Sequence, residues 1–361
     1  MFLLGGVKVA TEVPKVKSLF RAYHDLRIAF FGSDHFSAQI LDKLLEFHNN
    51  NQGKISSIDI ITRSAKKGGR NLRKTVENQL GVFCQSRDLP TFRADSQDDI
   101  TGLLKTKDFD LALAVSYGKL IPAEFINSMK CGSLNVHPSL LPKYRGSSPI
   151  QHTLMNDDDF TGVTIQTLHP SKFDRGEIID QSKPIYIKDK EYNFESLRSR
   201  LGEIASEMLL KVINSGNFKK PTTQPRNEQI PVAAPRLITS AREIRWNEYH
   251  TRKIKCLNNA LGDLYTFKRC KIHKKKKTMD EMMKVILGDI TIEVDETCQL
   301  RCHGEFKLDH HKDRLLIKTL DGVISVGKLK FQYCNEETPS LFMKNLEKRA
   351  GTTTNKFIPS K

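Results

Sequence analysis

The chain has 361 residues, 38% of them hydrophobic and 28% charged, which is typical of a globular protein with room for two separate cores. No run of about 18 apolar residues occurs, so we expect neither a membrane-spanning helix nor a membrane partner. The formal net charge of +16 indicates a polyanionic partner, a basic targeting segment, or both.

Residues 1–25 combine basic and apolar side chains. Before position 25 the only acidic residue is Glu12, and the basic residues are Lys8, Lys15, Lys17 and Arg21. This composition is typical of a mitochondrial presequence, although arginine and serine are sparser than in most. A frayed basic extension is the alternative, and we favour targeting to the mitochondrial matrix.

The first predicted unit is a strand, a glycine turn and a helix. An apolar run at residues 27–31 predicts the strand, and Gly32 ends it. The helix that follows has apolar residues every three or four positions: Phe36, Ile40, Leu44 and Phe47. Such a unit begins a Rossmann-like fold, but the sequence lacks the G-x-G-x-x-G fingerprint of dinucleotide binding.

A second predicted strand, residues 58–62, leads into a strongly basic segment at residues 63–74. This segment holds six Lys or Arg residues, two adjacent glycines and no acidic residue. The composition predicts a mobile cationic loop suited to phosphate groups, and a solvated surface loop is the alternative. The candidate phosphate-binding residues are Lys66, Lys67, Arg70 and Arg73.

Two polar side chains that could take part in catalysis stand at the end of the apolar run at residues 133–134. Asn135 and His137 end this run, and in a strand they project to the same face. Pro138 disfavours helix at the residue before it, which supports the strand. Asp174 comes 37 residues after His137, beside a glycine at position 176 that allows a turn.

An amide, an imidazole and a carboxylate suit the transfer of a one-carbon acyl group. A fixed Asn135 amide would stabilise the tetrahedral oxyanion, and the His137 imidazole would accept and return the proton that the reaction moves. Asp174 would hold the imidazole tautomer or order a water molecule. The alternative is a buried Asn and His that satisfy the backbone of a loop, with Asp174 as a turn residue.

The remaining elements predict an α/β domain and a second domain. Strands at residues 111–115 and 161–167 alternate with helices, which favours a mainly parallel sheet with helices on both faces. A helical core stripe follows, formed by Phe194, Leu197, Leu201, Ile204, Met208 and Val212. Proline-rich residues 216–235 then predict a linker between a domain at 26–215 and another at 236–361.

The C-terminal part changes character. Residues 268–277 contain seven basic residues in ten, ending in Lys274, Lys275, Lys276 and Lys277. Short β-type runs follow at residues 290–294, 315–318 and 323–326, and Asp321-Gly322 predicts a hairpin. Cys298, Cys302 and His303 lack a second ligand pair at zinc spacing, so we expect no metal site. The odd total of seven cysteines indicates free thiols in a reducing compartment.

An ordered set of motifs resembles the folate-dependent formyltransferases. The motifs are Asn135-Val-His137, Ser139-Leu140-Leu141-Pro142, Arg145-Gly146, Thr161-Gly-Val-Thr164 and Asp174-Arg-Gly176. With Ser147-Ser-Pro-Ile-Gln151 between them, the chain is most similar to the methionyl-tRNA formyltransferases of fungal mitochondria. The resemblance covers residues 27–181 well and the rest weakly.

The resemblance implies site residues for the co-substrate, 10-formyltetrahydrofolate. Asn135, His137 and Asp174 match the family's catalytic set. The segment formed by Ser139, Leu140, Leu141 and Pro142 would lie against the folate, and Tyr117 and Gly118 would lie beside its pteridine.

The resemblance also implies a tRNA partner. In the family, an insertion at the place of residues 63–74 enters the acceptor stem, with Arg70 as the best match. The C-terminal domain would be a smaller OB-like β-barrel, although the lysine run is unusually dense and the barrel motifs are weak.

The function that we predict is formyl transfer to methionine on initiator methionyl-tRNA, by a monomer. The alternatives are a formyltransferase acting on a small amine such as glycinamide ribonucleotide, and a non-catalytic RNA-binding protein on the same fold.

Overall fold

The computed structural model describes residues 25–50, 54–68, 73–188, 190–218, 230–274, 277–294 and 300–360. The predicted presequence lies outside the described residues, apart from Asp25. Within the described residues, no helix is both long and apolar enough to cross a membrane.

The N-terminal half alternates strands and helices. Its strands are β1 Leu26–Gly32, β2 Ile55–Thr62, β3 Lys66–Gly68, β4 Lys74–Val76, β5 Thr91–Arg93, β6 Leu111–Val115, β7 Gly132–His137, β8 Phe160–Thr161, β9 Thr164–Thr167, β10 Ile178–Gln181 and β11 Ile185–Tyr186. Its helices are α1 His35–Asn50, α2 Gln79–Gln85, α3 Gln97–Gly102, α4 Ala123–Ser128, α5 Pro149–Met155 and α6 Phe194–Ser215.

Seven of these strands form one sheet in the order β10-β9-β7-β6-β1-β2-β5. The pairs from β7 to β5 are parallel, whereas β9 runs antiparallel to β7 and β10 antiparallel to β9. The prediction of a mainly parallel sheet is therefore confirmed. Its central strand β6 is buried along its whole length, as expected for a strand that is covered on both faces.

Two hydrophobic cores flank this sheet because successive strand residues point to opposite faces. Ile28 and Phe30 of β1 join the core that α1 and α6 cover, while Ala29 and Phe31 join the core that α3 and α4 cover. Helix α6 carries the predicted apolar stripe. It ends at Gly216, whose φ of 67° places it in the left-handed region that suits a helix C-terminus.

The structure corrects two local predictions in this half, each in part. The basic segment predicted as an irregular loop contains the hairpin β3–β4, in which Lys66 pairs with Val76 and Gly68 with Lys74. Cross-strand pairing thus places Lys66–Gly68 and Lys74 on strands, within a segment that composition alone assigned to a loop. Residues 69–72 of this segment lie outside the described residues. The strand predicted at residues 161–167 is split into β8 and β9, which belong to different sheets.

The C-terminal half is built on one antiparallel sheet. Its strands are β12 Leu264–Lys274, β13 Lys277–Glu293, β14 Phe306–Asp309, β15 Arg314–Lys318, β16 Val323–Phe331, β17 Glu336–Glu337 and β18 Phe357–Ile358, and its helices are α7 Thr251–Leu261 and α8 Pro339–Ala350. The sheet order is β14-β15-β16-β13-β12-β18, with β17 paired to β16. The predicted hairpin at Asp321-Gly322 is confirmed, since Lys318 pairs with Val323 across it.

The described residues of the lysine run lie on strands β12 and β13. Lys274 pairs with Lys277 where β12 meets β13, and Lys275 and Lys276 lie outside the described residues. Lys268, the first residue of the run, is buried. Its ammonium group donates to the Arg269 carbonyl (2.9 Å) and the Thr353 hydroxyl (2.6 Å). Burial lowers the pKa of Lys268.

The two halves contact each other through α5 and α7. Arg252 of α7 makes a two-pronged ion pair with Asp157, at 2.5 and 2.9 Å. Lys253 donates to the Met155 carbonyl at 2.7 Å. These contacts place the C-terminal half beside α5, the helix that follows the polar end of β7 and its loop.

Candidate active site

The polar end of β7 lies at the edge where the parallel strands give way to antiparallel ones. β7 places Asn135 directly opposite Gln166 of β9, and His137 opposite Thr164. Because opposed residues on adjacent strands project to the same face, Asn135 and Gln166 point to one side of the sheet. Ligands of open α/β sheets bind at such carboxyl-terminal edges.

Asp174 is the point on which these side chains converge. Its Oδ1 accepts hydrogen bonds from Asn135 Nδ2 and Gln166 Nε2, both at 3.2 Å, and lies 3.4 Å from His137 Nδ1. Its Oδ2 accepts from the Gly146 N–H at 2.8 Å. The Asp174 side chain is only 9% exposed. The sequence-predicted Asn, His and Asp are thus brought together in one part-buried cluster.

The backbone around this cluster adopts conformations that few residue types allow. Asp174 has a φ of 51°, in the left-handed region that Asp and Asn tolerate. Gly146 has a φ of 130°, and a Cβ there would stand 2.4 Å from the Ala234 carbonyl oxygen. The chain at Ala234 reaches this glycine because its N–H donates to the Arg145 carbonyl at 2.7 Å. The predicted linker therefore ends against the loop that binds Asp174.

The tautomer of His137 is set by a backbone carbonyl rather than by the carboxylate. His137 Nε2 lies 2.9 Å from the Tyr144 carbonyl oxygen, which only accepts, so Nε2 carries a proton. Nδ1 is left as the nitrogen that faces Asp174. Any proton exchanged between the imidazole and the carboxylate therefore passes through Nδ1.

Two arginines lie near the carboxylate. Arg145 and Arg175 flank Asp174, and burial, followed by the proximity of Arg175, lowers the pKa of Arg145.

A cavity of about 550 Å³ opens beside the cluster. Asn135, His137, Gln166 and Asp174 form its polar end. Its lining also includes the apolar residues Leu120, Ile121, Ile126, Ile150 and Phe194, together with the charged residues Asp34, Lys119, Lys172 and Arg198. This size and mixture of apolar, polar and charged side chains suit a small-molecule ligand that has both apolar and polar parts.

The predicted folate residues fall into two groups. Tyr117 and Gly118 line the cavity. The Tyr117 hydroxyl also donates to the Ala94 carbonyl at 2.5 Å, and burial raises the pKa of Tyr117, so the phenol stays a donor. The second group comprises Ser139, Leu140, Leu141 and Pro142, and these residues do not line the cavity.

The segment at residues 139–142 instead packs beneath the site. Leu141 N–H donates to the Thr164 hydroxyl at 3.0 Å, and that hydroxyl donates to the Ser139 carbonyl at 2.7 Å. The Leu141–Pro142 peptide bond is cis. The hydrogen bonds tie the segment to β9 and so fix the loop that carries Tyr144 and Gly146.

The predicted tRNA-binding residues lie apart from this cluster. Lys66, Lys67 and Arg73 are exposed on or beside the β3–β4 hairpin, and Arg70 lies outside the described residues. The side chains of residues 274–277 also lie outside them. In the described part of the chain, no group of His, Cys, Asp or Glu residues could hold a metal ion, and Cys298 of the rejected zinc motif is not in that part.

Sequence reasoning missed two members of the site. Gln166 is 1% exposed, and its only signal was a polar residue inside a strand rich in β-branched residues. The Tyr144 carbonyl carries no side-chain signal at all. Both depend on the antiparallel placement of β9 and on the path of the loop after β7.

Comparison with known proteins agrees with this geometry. The sequence profile of the formyl transferase family matches residues 26–213, the part of the chain that contains the cluster. The site and the fold thus define the class as a formyltransferase.

Individual relatives show which kind of formyltransferase the chain resembles. The mitochondrial methionyl-tRNA formyltransferase of Saccharomyces cerevisiae is 30% identical over 373 residues, covering 92% of this chain and 92% of the relative. The mitochondrial enzyme of Rattus norvegicus is 27% identical and covers 84% and 74%, respectively. The chain belongs to the methionyl-tRNA formyltransferases.

Solved structures share the fold. HypX from Aquifex aeolicus, in complex with tetrahydrofolic acid, has a TM-score of 0.55 at 15% identity, covering 90% of this chain and 48% of that chain. An N-formyltransferase from Helicobacter canadensis has a TM-score of 0.51 at 14% identity, covering 83% and 98%. At these identities the likeness concerns the fold alone.

Proposed function

We propose that the chain transfers the formyl group of 10-formyltetrahydrofolate to the α-amino group of methionine on initiator methionyl-tRNA, and that it acts as a monomer in the mitochondrial matrix. The observation that carries this proposal is the convergence of Asn135, His137 and Gln166 on Asp174 at the polar end of the cavity. The mitochondrial relatives and the basic residues before position 25 support the location.

Asn135 stabilises the charge that develops in the reaction. The amine attacks the formyl carbon and forms a tetrahedral oxyanion. Asn135 Nδ2 has two hydrogens, of which one bonds Asp174 and the other is available to the oxyanion. Because Asp174 fixes this amide, little reorganisation is needed when the charge appears.

His137 and Asp174 move the proton. The amine nitrogen gains a bond to the formyl carbon and loses a proton, while the folate nitrogen loses that carbon and gains a proton. With Nε2 held by the Tyr144 carbonyl, Nδ1 and the Asp174 carboxylate are the groups positioned to pass it. Positioned acid–base groups of this kind typically contribute about 100- to 10,000-fold in rate.

The cavity would hold the folate. Tyr117 and Gly118 are at its wall, where we place the pteridine, and the hydrogen-bonded segment at residues 139–142 would support the loop against which the folate lies. The tetrahydrofolic acid in the HypX structure supports folate as the formyl donor on this fold.

The tRNA would contact both halves of the chain. We assign the basic segment at residues 63–74, with Lys66, Lys67, Arg70 and Arg73, to the acceptor stem, and residues 274–277 to phosphates. We further propose that residues 236–361 form an OB-like tRNA-binding domain, joined by a linker at 216–235 to a catalytic domain at 26–215. The antiparallel sheet and the net charge of +16 support this arrangement.

The test is a formyl-transfer assay with labelled 10-formyltetrahydrofolate. Wild type should formylate initiator methionyl-tRNA, and His137→Ala should lose at least about 100-fold in kcat. The control is His48→Ala, in the last turn of α1, which should leave kcat unchanged. Transfer only to a small amine such as glycinamide ribonucleotide would refute the proposed substrate. Binding of tRNA without any transfer would refute catalysis.

A further inference from the structure

Gln166 is bonded to the catalytic carboxylate through only one end of its amide. Its Nε2 donates to Asp174 Oδ1 at 3.2 Å. Its Oε1 is buried and has no hydrogen-bond partner among the described residues. The orientation follows from the donors around Asp174, since that oxygen already accepts from Asn135 and an ionised carboxylate has no hydrogen to give.

A buried acceptor without a partner destabilises the folded chain. A methionine or leucine would fill the same volume in β9 without this cost, since the side chain is 1% exposed. The presence of a glutamine therefore points to a second state in which the oxygen is used. The terminal torsion of glutamine is broad and roughly two-fold, so a half-turn exchanges the positions of Nε2 and Oε1.

The carboxylate that Gln166 faces changes its hydrogen-bonding character during the reaction. An ionised Asp174 only accepts, whereas a protonated Asp174 also donates through its O–H. Asn135 could accept a hydrogen bond from protonated Asp174 only by turning its side-chain NH2 group away from the oxyanion. The Gly146 N–H on the other carboxylate oxygen is a backbone donor that cannot become an acceptor.

We propose that Gln166 is a positioning residue of the proton relay: Nε2 holds Asp174 while the carboxylate is ionised, and Oε1 accepts the carboxyl O–H while Asp174 carries the proton. The proton comes from the attacking amine by way of His137 Nδ1 and leaves for the folate nitrogen, so none is gained or lost overall. This inference rests on the proposed function and adds a residue that the predicted catalytic set does not contain.

The experiment compares Gln166→Met with Gln39→Met. Gln39 is a glutamine of α1 whose Nε2 donates to the Ser199 carbonyl at 2.9 Å, away from the cavity. We expect Gln166→Met to lower kcat at least about tenfold, which is less than the roughly 100-fold or more that a direct proton-transfer group contributes. KM for both substrates should stay within about twofold of the wild-type value. The solvent deuterium isotope effect on kcat should rise, because proton transfer becomes slower than the other steps. Gln39→Met should leave all of these quantities unchanged.

A second variant separates the two ends of the amide. Gln166→Glu keeps an acceptor but loses the donor, so repulsion from Asp174 should make it slower than Gln166→Met. A wild-type rate in either variant, or a fall in kcat with an unchanged isotope effect, overturns the inference while wild type still transfers formyl. An inactive wild type would instead overturn the proposed function. Thermal melts confirm that each variant is folded.

Discussion

Replacement of Asp174 by asparagine is the sharpest test of the proton relay. The φ of 51° at this position is one that asparagine also adopts, so the backbone should not change. In the Asp174→Asn variant, the side-chain oxygen can stay near the Asn135 and Gln166 donors, which leaves the new NH2 group facing the Gly146 N–H. One hydrogen bond to a charged acceptor is then lost, at about 1.5–3 kcal/mol.

This loss is smaller than the total stability of about 5–15 kcal/mol that is usual for a domain, so the variant should stay folded at 25 °C. Its kcat should nevertheless fall about 100-fold or more, because an amide cannot take the proton. The matched control is Asp313→Asn, at a φ of 47°, whose carboxylate accepts from the Ser340 N–H at 2.8 Å outside the site.

The assay is steady-state formylation of initiator methionyl-tRNA, with a thermal melt of each variant. The control should lose stability without losing kcat. Loss of a group that transfers protons should cost at least about 100-fold in kcat. If Asp174→Asn keeps more than about a tenth of the wild-type kcat, the carboxylate acts only as a turn residue, and the proposed proton relay through Asp174 is wrong.

Four further outcomes are expected. Asn135→Ala should lower kcat about 100- to 1000-fold and leave folate affinity nearly unchanged by equilibrium titration, because one oxyanion donor is lost. Gly146→Ala should lower both Tm and kcat, since its Cβ would stand 2.4 Å from the Ala234 oxygen; an unchanged melt would contradict this. Alanine at residues 274–277 should weaken the binding of all tRNAs alike. The slope of log affinity against log salt concentration should become shallower by nearly one unit per lost phosphate contact, if the rule for duplex DNA holds for tRNA. Arg70→Ala should lower kcat/KM for initiator tRNA and spare binding of a charged elongator at the same salt concentration; equal losses would make it a phosphate contact.

Residue order alone predicted the class of fold and the reactive side chains. Apolar residues every three or four positions predicted α1 and α6, and a continuous apolar run predicted β6. These patterns arise because an element buried on one face or on both needs apolar side chains at the buried positions. The Asn135-Val-His137 motif followed by Pro138 predicted a strand end with two polar groups on one face. Motif order then tied these residues to Asp174, across 37 positions, through resemblance rather than through geometry.

How these groups are held depends on packing between distant segments. β9 turns antiparallel beside β7, and this direction brings Gln166 opposite Asn135. The tautomer of His137 is set by the Tyr144 carbonyl, a main-chain atom that every residue type possesses and no sequence pattern marks. Strand pairing also placed Lys66–Gly68 and Lys74 of the basic segment in the β3–β4 hairpin, and packing in the C-terminal half buried Lys268. The sequence shows which side chains are apolar and therefore buried. Strand direction and main-chain contacts cannot be read from it, because they form only when segments far apart in the chain pack together.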